Sequence, residues 1–445
     1  MKYVFTITLL TMASIALGQP RAILINNVEI FNGKDEKTII GNVLIEANLI
    51  KTVSTSPIVI AQNGNTQIID GQGKFLMPGL IDAHAHLTME SIPLQLAMIS
   101  DIGYVNLVAA DAATKQLFRG FTTARDMGGA SFSLMKAIDQ GIVNGPRIYP
   151  SGATISQTGG HGDFGMPTDV PKQTGAPLNY MEKSGMTIIA DGADQVLMRA
   201  REQLRLGATQ IKVMAGGGVA SSYDPLDVSQ FTEAEIKAAV DAADNWGTYV
   251  AVHAYTPKAI VAAVHAGVKC IEHAQLMDDA TAKLLAQKGV WLSLQPFLDD
   301  ADANPQPEGS ENRKKQLEMT KGTDNAYELA KKYNIKTAWG TDCLFDAKLA
   351  TRQGAQLAKL VRWYKPYEIL RMATSTNAEL LALCGKRNPY SEGKLGVIEQ
   401  GAYADLLLVD GNPLKNIKLI ENPEKNFIFI MKNGIIYKNM VSNKH

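Results

Sequence analysis

Gly79-Leu80-Ile81-Asp82-Ala83-His84-Ala85-His86 is an apolar, strand-like run that ends by presenting two imidazoles. Residues i and i+2 of a strand point to one face, so His84 and His86 can reach the same metal ion. A lone His-x-His matches many sequences by chance. Its weight here comes from four further candidates in strand-like settings: Lys212 in Gln-Ile-Lys-Val-Met-Ala, His253 in Val-Ala-Val-His-Ala, His273 in Cys-Ile-Glu-His-Ala and Asp342 in Ala-Trp-Gly-Thr-Asp.

Outward from that run, strand and helix patterns alternate over residues 76–384, which calls for parallel βα units. Strands are expected to end near His86, Asp126, Ser151, Ala215, Ala254, Ala274, Gln295 and Asp342. Eight strands close a (β/α)8 TIM barrel, whose side chains converge on one mouth at the C-terminal strand ends, where all six candidates fall. Thr232 with Glu235 and Thr376 with Glu379 form capping boxes, and Thr256-Pro257 supplies an N-cap and N1 proline for a helix ending at Gly267. Two stretches break the rhythm, residues 156–184 and 299–311, and read as long functional loops.

Both chain ends are β-rich. The runs Ala22-Ile23-Leu24-Ile25, Val28-Glu29-Ile30-Phe31, Asn42-Val43-Leu44-Ile45 and Leu49-Ile50-Lys51-Thr52-Val53 are matched by Ala404 to Val409, Ile428 to Met431 and Gly434 to Tyr437. Neither set makes a stable sheet alone, so residues 19–75 and 385–445 are expected to join in one small composite β-sandwich.

The order and local runs of the six candidates resemble the amidohydrolase superfamily, in particular two-metal members with a carboxylated lysine on the fourth barrel strand. The resemblance covers nearly the whole chain after the leader, and its nearest look is to the imidazolonepropionase-like group with Xaa-Pro and related dipeptidases and ochratoxin-type amidases. It implies that His84, His86 and Asp342 hold one divalent ion, that His253 and His273 hold a second, and that Lys212, converted by carbon dioxide to a carbamate, bridges them. Zinc is the expected ion, although N/O sites accept several divalent metals. It further implies a metal-bridging hydroxide that attacks an amide carbonyl, with Asp342 as the catalytic proton shuttle. Mononuclear deaminases of the same fold place a glutamate near the fifth-strand histidine, whereas here Ala254-Tyr255-Thr256 follows His253. Hydrolysis at two metals is therefore the better fit.

Substrate contacts rest on two residues. Thr158-Gly159-Gly160-His161-Gly162-Asp163 resembles the dipeptidase segment that offers a histidine to the substrate carboxylate, and Tyr255 matches a tyrosine with the same task. Gly216 to Ser221 are expected to add backbone contacts, with a flexible connector as the alternative, and Phe345, Asp346 and residues 295–311 are candidates for the specificity pocket. The expected substrate is a dipeptide or N-acyl amino acid with a free carboxylate. Hydrolysis of a lactone, cyclic amide or phosphotriester is the alternative, and a non-catalytic binding scaffold the most distant one.

Each residue also has a plain reading. Taken alone, His253 fits a hydrogen-bonded core histidine, Lys212 a charge that burial would oblige to pair, Asp342 a turn residue and Asp346 a solvated helix start. His161 fits a loop residue. His265, inside the helical run before Gly267, reads as packing or surface. The joint order of the six is what favours a metal centre.

Composition narrows the rest. The 445 residues are 46% hydrophobic, and Lys+Arg and Asp+Glu both number 44, so no net field favours nucleic acid or an anionic membrane. Residues 1–18, with Lys2, an apolar stretch and Ala16-Leu17-Gly18, read as a cleavable signal peptide, which places the mature chain in a periplasm or outside the cell. Cys270, Cys343 and Cys384 are too few for a disulfide framework. Adjacent strand residues face opposite ways, so Cys343 is expected to point away from a site that Asp342 enters. Monomer and homo-oligomer both stay open.

Overall fold

A computed structural model describes residues 22–60, 66–171 and 175–441; the leader lies outside them. Eight parallel strands form the barrel: Leu80–Ala85, Phe121–Asp126, Arg147–Pro150, Ile211–Met214, Val250–Ala254, Cys270–His273, Trp291–Leu294 and Thr337–Trp339. Every residue of these strands is buried, so they read as near-continuous apolar runs. Between the third and fourth strands the ladder is carried by Thr209, whose N–H donates to Pro150 O at 2.8 Å.

The ring closes between the last strand and the first. Asp342 N–H donates to His84 O at 2.8 Å. A Cβ on Gly340 would lie 2.3 Å from the His84 nitrogen, so only glycine permits this approach. Asn377 seals the same seam, donating from Nδ2 to Ile81 O and Trp339 O at 2.7 and 2.8 Å and accepting from Trp339 N–H at 3.0 Å.

Strand ends fall within a few residues of expectation, and the seam explains the largest difference. Thr337–Trp339 stops three residues before Asp342, which has φ of 48° and is not in a strand. The alternation argument for Cys343 therefore does not apply. That thiol is nevertheless turned away from the site, donating to Asp346 O at 3.6 Å. A short parallel pair, Thr154–Ser156 with Thr187–Ile189, was not expected and brackets the first long loop.

Among the helix signals, the Thr232–Glu235 box is present and Pro257 opens the helix Pro257–Ala266. Thr256 caps that helix by backbone position only, without a side-chain bond. The Thr376–Glu379 box is overturned: Thr376 has helical φ and ψ of −67° and −44°, inside continuous helical chain that begins at Pro366 and includes a π-turn at Met372–Thr376. A residue in mid-helix has no free N–H groups to cap.

The two chain ends join in one mixed sheet, as a composite β-sandwich beside the barrel. The runs at residues 22–31 are one strand, Ala22–Ile30, bulged between Ile25 and Val28. It pairs in parallel with Thr66–Asp70 and then with Phe75–Pro78, and Phe75–Pro78 pairs with Leu406–Val409 from the far end. Phe427–Lys432 and Ile435–Asn439 complete the C-terminal side. The sheet is locked to the barrel floor by Arg147, which is buried, ion-paired with Asp405 and hydrogen-bonded to Asn433 Oδ1 at 2.7 Å. No helix among the described residues is long and apolar enough to cross a membrane.

Candidate metal centre

Four imidazoles meet at the barrel mouth in a row of ring contacts. His161 to His253 is 4.1 Å between centroids, His253 to His273 4.5 Å, His273 to His84 5.0 Å and His84 to His86 5.2 Å, so His161 stands as a fifth ring at one end of the row. Lys212, Tyr255 and Asp342 line the same cavity, of about 290 Å³. All eight candidate site residues are thus brought together. His265 is on the exposed side of its helix, away from them.

Each candidate metal-ligating histidine has one ring nitrogen committed to an acceptor. His84 Nδ1 is 2.7 Å from Glu272 Oε2, His86 Nδ1 is 3.3 Å from Gly128 O, and His253 Nε2 is 3.0 Å from Gly217 O. His273 Nδ1 is 2.7 Å from Gln295 Oε1, and Gln295 Nε2 donates to Ser293 O at 3.1 Å, which fixes the amide's orientation. Carbonyls and carboxylates only accept, so these nitrogens carry the protons and the opposite nitrogens keep a lone pair. This outer arrangement is the one that selects the tautomer of a metal-ligating histidine.

The first donor set is compact. Ligand atoms of His84, His86 and Asp342 all lie within 4.8 Å of one another, the one such group among the described residues. Asp342 Oδ1 is 3.1 Å from His86 Nε2 and 3.4 Å from His84 Nε2. His84 Nε2 is buried with no hydrogen-bond partner among the described residues, a costly state for a lone pair unless a cation takes it up. Two nitrogens and a carboxylate oxygen are a donor set that suits zinc-like ions. The residues present therefore fit a divalent metal at this position.

Electrostatics follow from burial. Burial, with Lys212 nearby, lowers His84 to about 4 against the pull of Asp342 and Glu272, and it lowers His253 and His273 well below the usual imidazole range. These rings are neutral at physiological pH, as ligands must be. Burial raises Asp342, but His84, His86 and His273, in the acid range where imidazoles carry charge, outweigh it and hold that carboxyl below its ordinary range. Burial also pushes the Lys212 ammonium down, opposed by Glu272 and Asp342. No hydrogen bond or ion pair holds Lys212 among the described residues, although it is only 1% exposed.

Backbone strain marks the same place. His273, Ala274, Asp342 and Phe345 have φ of 80°, 58°, 48° and 58°, values uncommon for residues with a Cβ. At His273 the left-handed turn ends the strand alternation. Consecutive residues Glu272 and His273 can then both serve the centre, one beneath it and one at its rim.

Several partners were not anticipated from sequence. Glu272 sits between His84 and the buried Arg125, whose Nη2 is 2.7 Å from Oε1, and Arg125 and His84 hold the Glu272 carboxyl well down against burial. Asp126 accepts from Leu87 and Gly128 N–H at 2.9 and 3.2 Å and so shapes the chain after His86. The signal was a charge inside each apolar strand run, Arg125 in the second and Glu272 in the sixth, since buried charges must be paired.

The Gly216-to-Ser221 segment acts on the histidines. Gly217 O orients His253, and Ser221 Oγ lies 2.7 Å from His161 Nδ1. A Cβ on Gly218 would fall 2.0 Å from the His161 ring. Tyr255 packs 4.8 Å from His253 and 5.3 Å from His273, and burial raises its phenol well above the usual range. Asp346 caps the helix Ala347–Ala350, as its plain reading held, while Phe345 and part of the 299–311 loop, Asp302 to Asn304 and Gln306, line the cavity.

Comparison with known proteins gives this geometry a context. Residues 75–444 match the model of the amidohydrolase family. Ochratoxinase of Aspergillus niger is 31% identical over 383 residues, 82% of this chain and 75% of that protein. A prolidase solved in complex with N-methylphosphonate-L-proline is 33% identical with a TM-score of 0.84, over 94% of this chain and all of that one. A Xaa-Pro dipeptidase with bound methionine in its active site is 28% identical with a TM-score of 0.79 over the same shares.

Proposed function

The chain belongs to the amidohydrolase family, and from that membership we propose that it is a two-metal hydrolase that cuts the amide bond of a small N-acyl amino acid or dipeptide and releases the C-terminal amino acid. The observation that carries the proposal is that each of four imidazoles around one cavity has one ring nitrogen against an acceptor, which leaves the other nitrogen's lone pair to give. His84, His86 and Asp342 would hold one ion, His253 and His273 the other, and Lys212 the link between them.

Lysine cannot serve as an ammonium, which has no lone pair. Burial that lowers its pKa enlarges the neutral amine fraction, and that amine can attack carbon dioxide, lose a proton and become a carbamate anion. When bound, the metal ions would supply Lewis acidity toward the amide oxygen and a lowered pKa for water. Asp342 accepts the water proton and returns it to the amide nitrogen as the C–N bond breaks. His161 and Tyr255, at the His253 end of the row, take the substrate carboxylate and so set which amide reaches the centre. The dipeptidase and ochratoxinase relatives support this substrate class.

A hydrolysis screen on zinc-loaded protein in bicarbonate buffer tests the reading, with dipeptides and N-acyl amino acids set beside a lactone, a cyclic amide and a phosphotriester. Turnover confined to the last three would replace it. Tyr255→Phe should raise KM more for carboxylate substrates than for their amides, and equal effects would remove the carboxylate anchor. Export belongs to the same reading: sequencing of the mature chain should begin at Gln19, and an intact Met1 would contradict it.

A further inference from the structure

The side-chain chemistry of the cavity separates the two substrate classes that the proposed function leaves together. One wall of the cavity is apolar, built by Met89, Leu94, Phe164, Met186, Leu344 and Phe345, and Met89 N–H donates to His86 O at 2.8 Å, at the end of the histidine row away from His161. Most of these belong to one apolar cluster, with Met89 and Met186 buried and Phe164, Leu344 and Phe345 packed against them. Phe164 and Phe345 meet edge to face at 6.3 Å, and Phe345 N–H donates to Met89 O at 3.0 Å, which ties the loops after the last and first barrel strands together.

A dipeptide brings a free α-ammonium to the acyl side of its amide. Burying an ammonium without a paired anion is expensive, and enzymes that take free amines present a carboxylate to them. The cavity lining has two acidic residues, Asp342 and Asp302. Asp342 belongs to the metal donor set. Asp302 is at the mouth and already neutralised, with Arg352 Nε 2.7 Å from its Oδ1. The amide oxygen of Gln316 is likewise engaged, accepting from Gln306 N–H at 3.0 Å and from Arg313 at 2.8 Å. Among the described residues, nothing on the acyl wall pairs with a cation.

We propose that this enzyme is an acylase for N-acyl amino acids whose acyl group is uncharged and apolar, and that a free α-ammonium is selected against by the Met89–Phe345 wall. The inference rests on the amide-hydrolase reading above, with the carboxylate at His161 and Tyr255. Met residues suit such a wall because the thioether adapts its shape to varied apolar groups.

The test compares two substrates that differ by one amine, hydrocinnamoyl-L-leucine and L-phenylalanyl-L-leucine, with metal-loaded full-length protein. The acylated compound should be turned over with a kcat/KM roughly tenfold or more higher. That ratio should fall between about pH 6 and pH 9, as the dipeptide's α-amine, with an ordinary pKa near 8, loses its charge. Phe345→Asp should narrow the ratio by giving the ammonium a partner, at a position whose left-handed φ an aspartate tolerates. Equal or better turnover of the dipeptide by the unaltered enzyme overturns this inference and leaves the amide-hydrolase reading standing. Failure to cut either substrate, with turnover of a lactone or phosphotriester, overturns both. The wild-type ratio and its pH trend decide the matter even where Phe345→Asp does not fold.

Discussion

Glu272 acts on two sides at once, because one carboxylate sets the His84 tautomer and neutralises Arg125. Glu272→Gln removes that charge and leaves a buried guanidinium without its anion. Metal affinity is expected to weaken by about 10–100-fold, read by competition with a chelator, and an unchanged affinity would show that His84 needs no such support. Gly218→Ala drives a methyl into the His161 ring. KM for carboxylate substrates should rise several-fold while metal content stays the same, which would separate the proposed carboxylate anchor from the proposed metal centre. At this scale the sequence was legible where a residue type has narrow chemistry: histidines and Asp342 stand out in apolar runs. Glu272, Arg125 and Gln295 were harder to see, because a partner's role depends on what the fold places opposite it.

Among the elements, the eighth strand shows most plainly where the reading of the sequence stopped. Alternating strand and helix patterns gave the barrel, and strand ends fell within a few residues, because a fully buried parallel strand announces itself by composition. Asp342 was placed on a strand, yet the chain leaves the ladder at Trp339 and turns left-handed to bring the carboxylate to His86. Such a departure is imposed by tertiary contacts, here the Gly340 approach to His84, and has no local pattern. The Thr376–Glu379 box failed for a different reason, since the helix already running from Pro366 had satisfied its N–H groups. Asn377 is the consequence of that longer helix, reaching both strands of the seam. Asn377→Ala leaves three buried backbone groups short of a partner and should cost about 2–4 kcal/mol in chemical denaturation, with a loss below about 1 kcal/mol showing that the seam closes without it.

For the molecule as a whole, charged groups are buried where barrel and composite sheet meet. Lys432 donates to Gly145 O at 2.7 Å, and burial with the nearby Arg147 lowers its pKa to about 8, against the pull of Asp405 and Asp139. Between about pH 8 and the unfolded lysine value near 10.4, the unfolded chain binds more protons, so this group makes stability rise with pH. Below pH 8 both states are protonated and its destabilising effect is complete. Lys432→Met should therefore raise stability at pH 7 by about 1–2 kcal/mol and remove that rise, and a variant whose stability still climbs in parallel with the parent would contradict the assignment. The proposed function requires two metal ions joined through Lys212. The most direct test is elemental analysis of zinc-loaded protein in bicarbonate, comparing the parent with Lys212→Ala while circular dichroism monitors the fold. Two ions per parent chain and at most one in the folded variant are the expected result; equal metal content in both would contradict it.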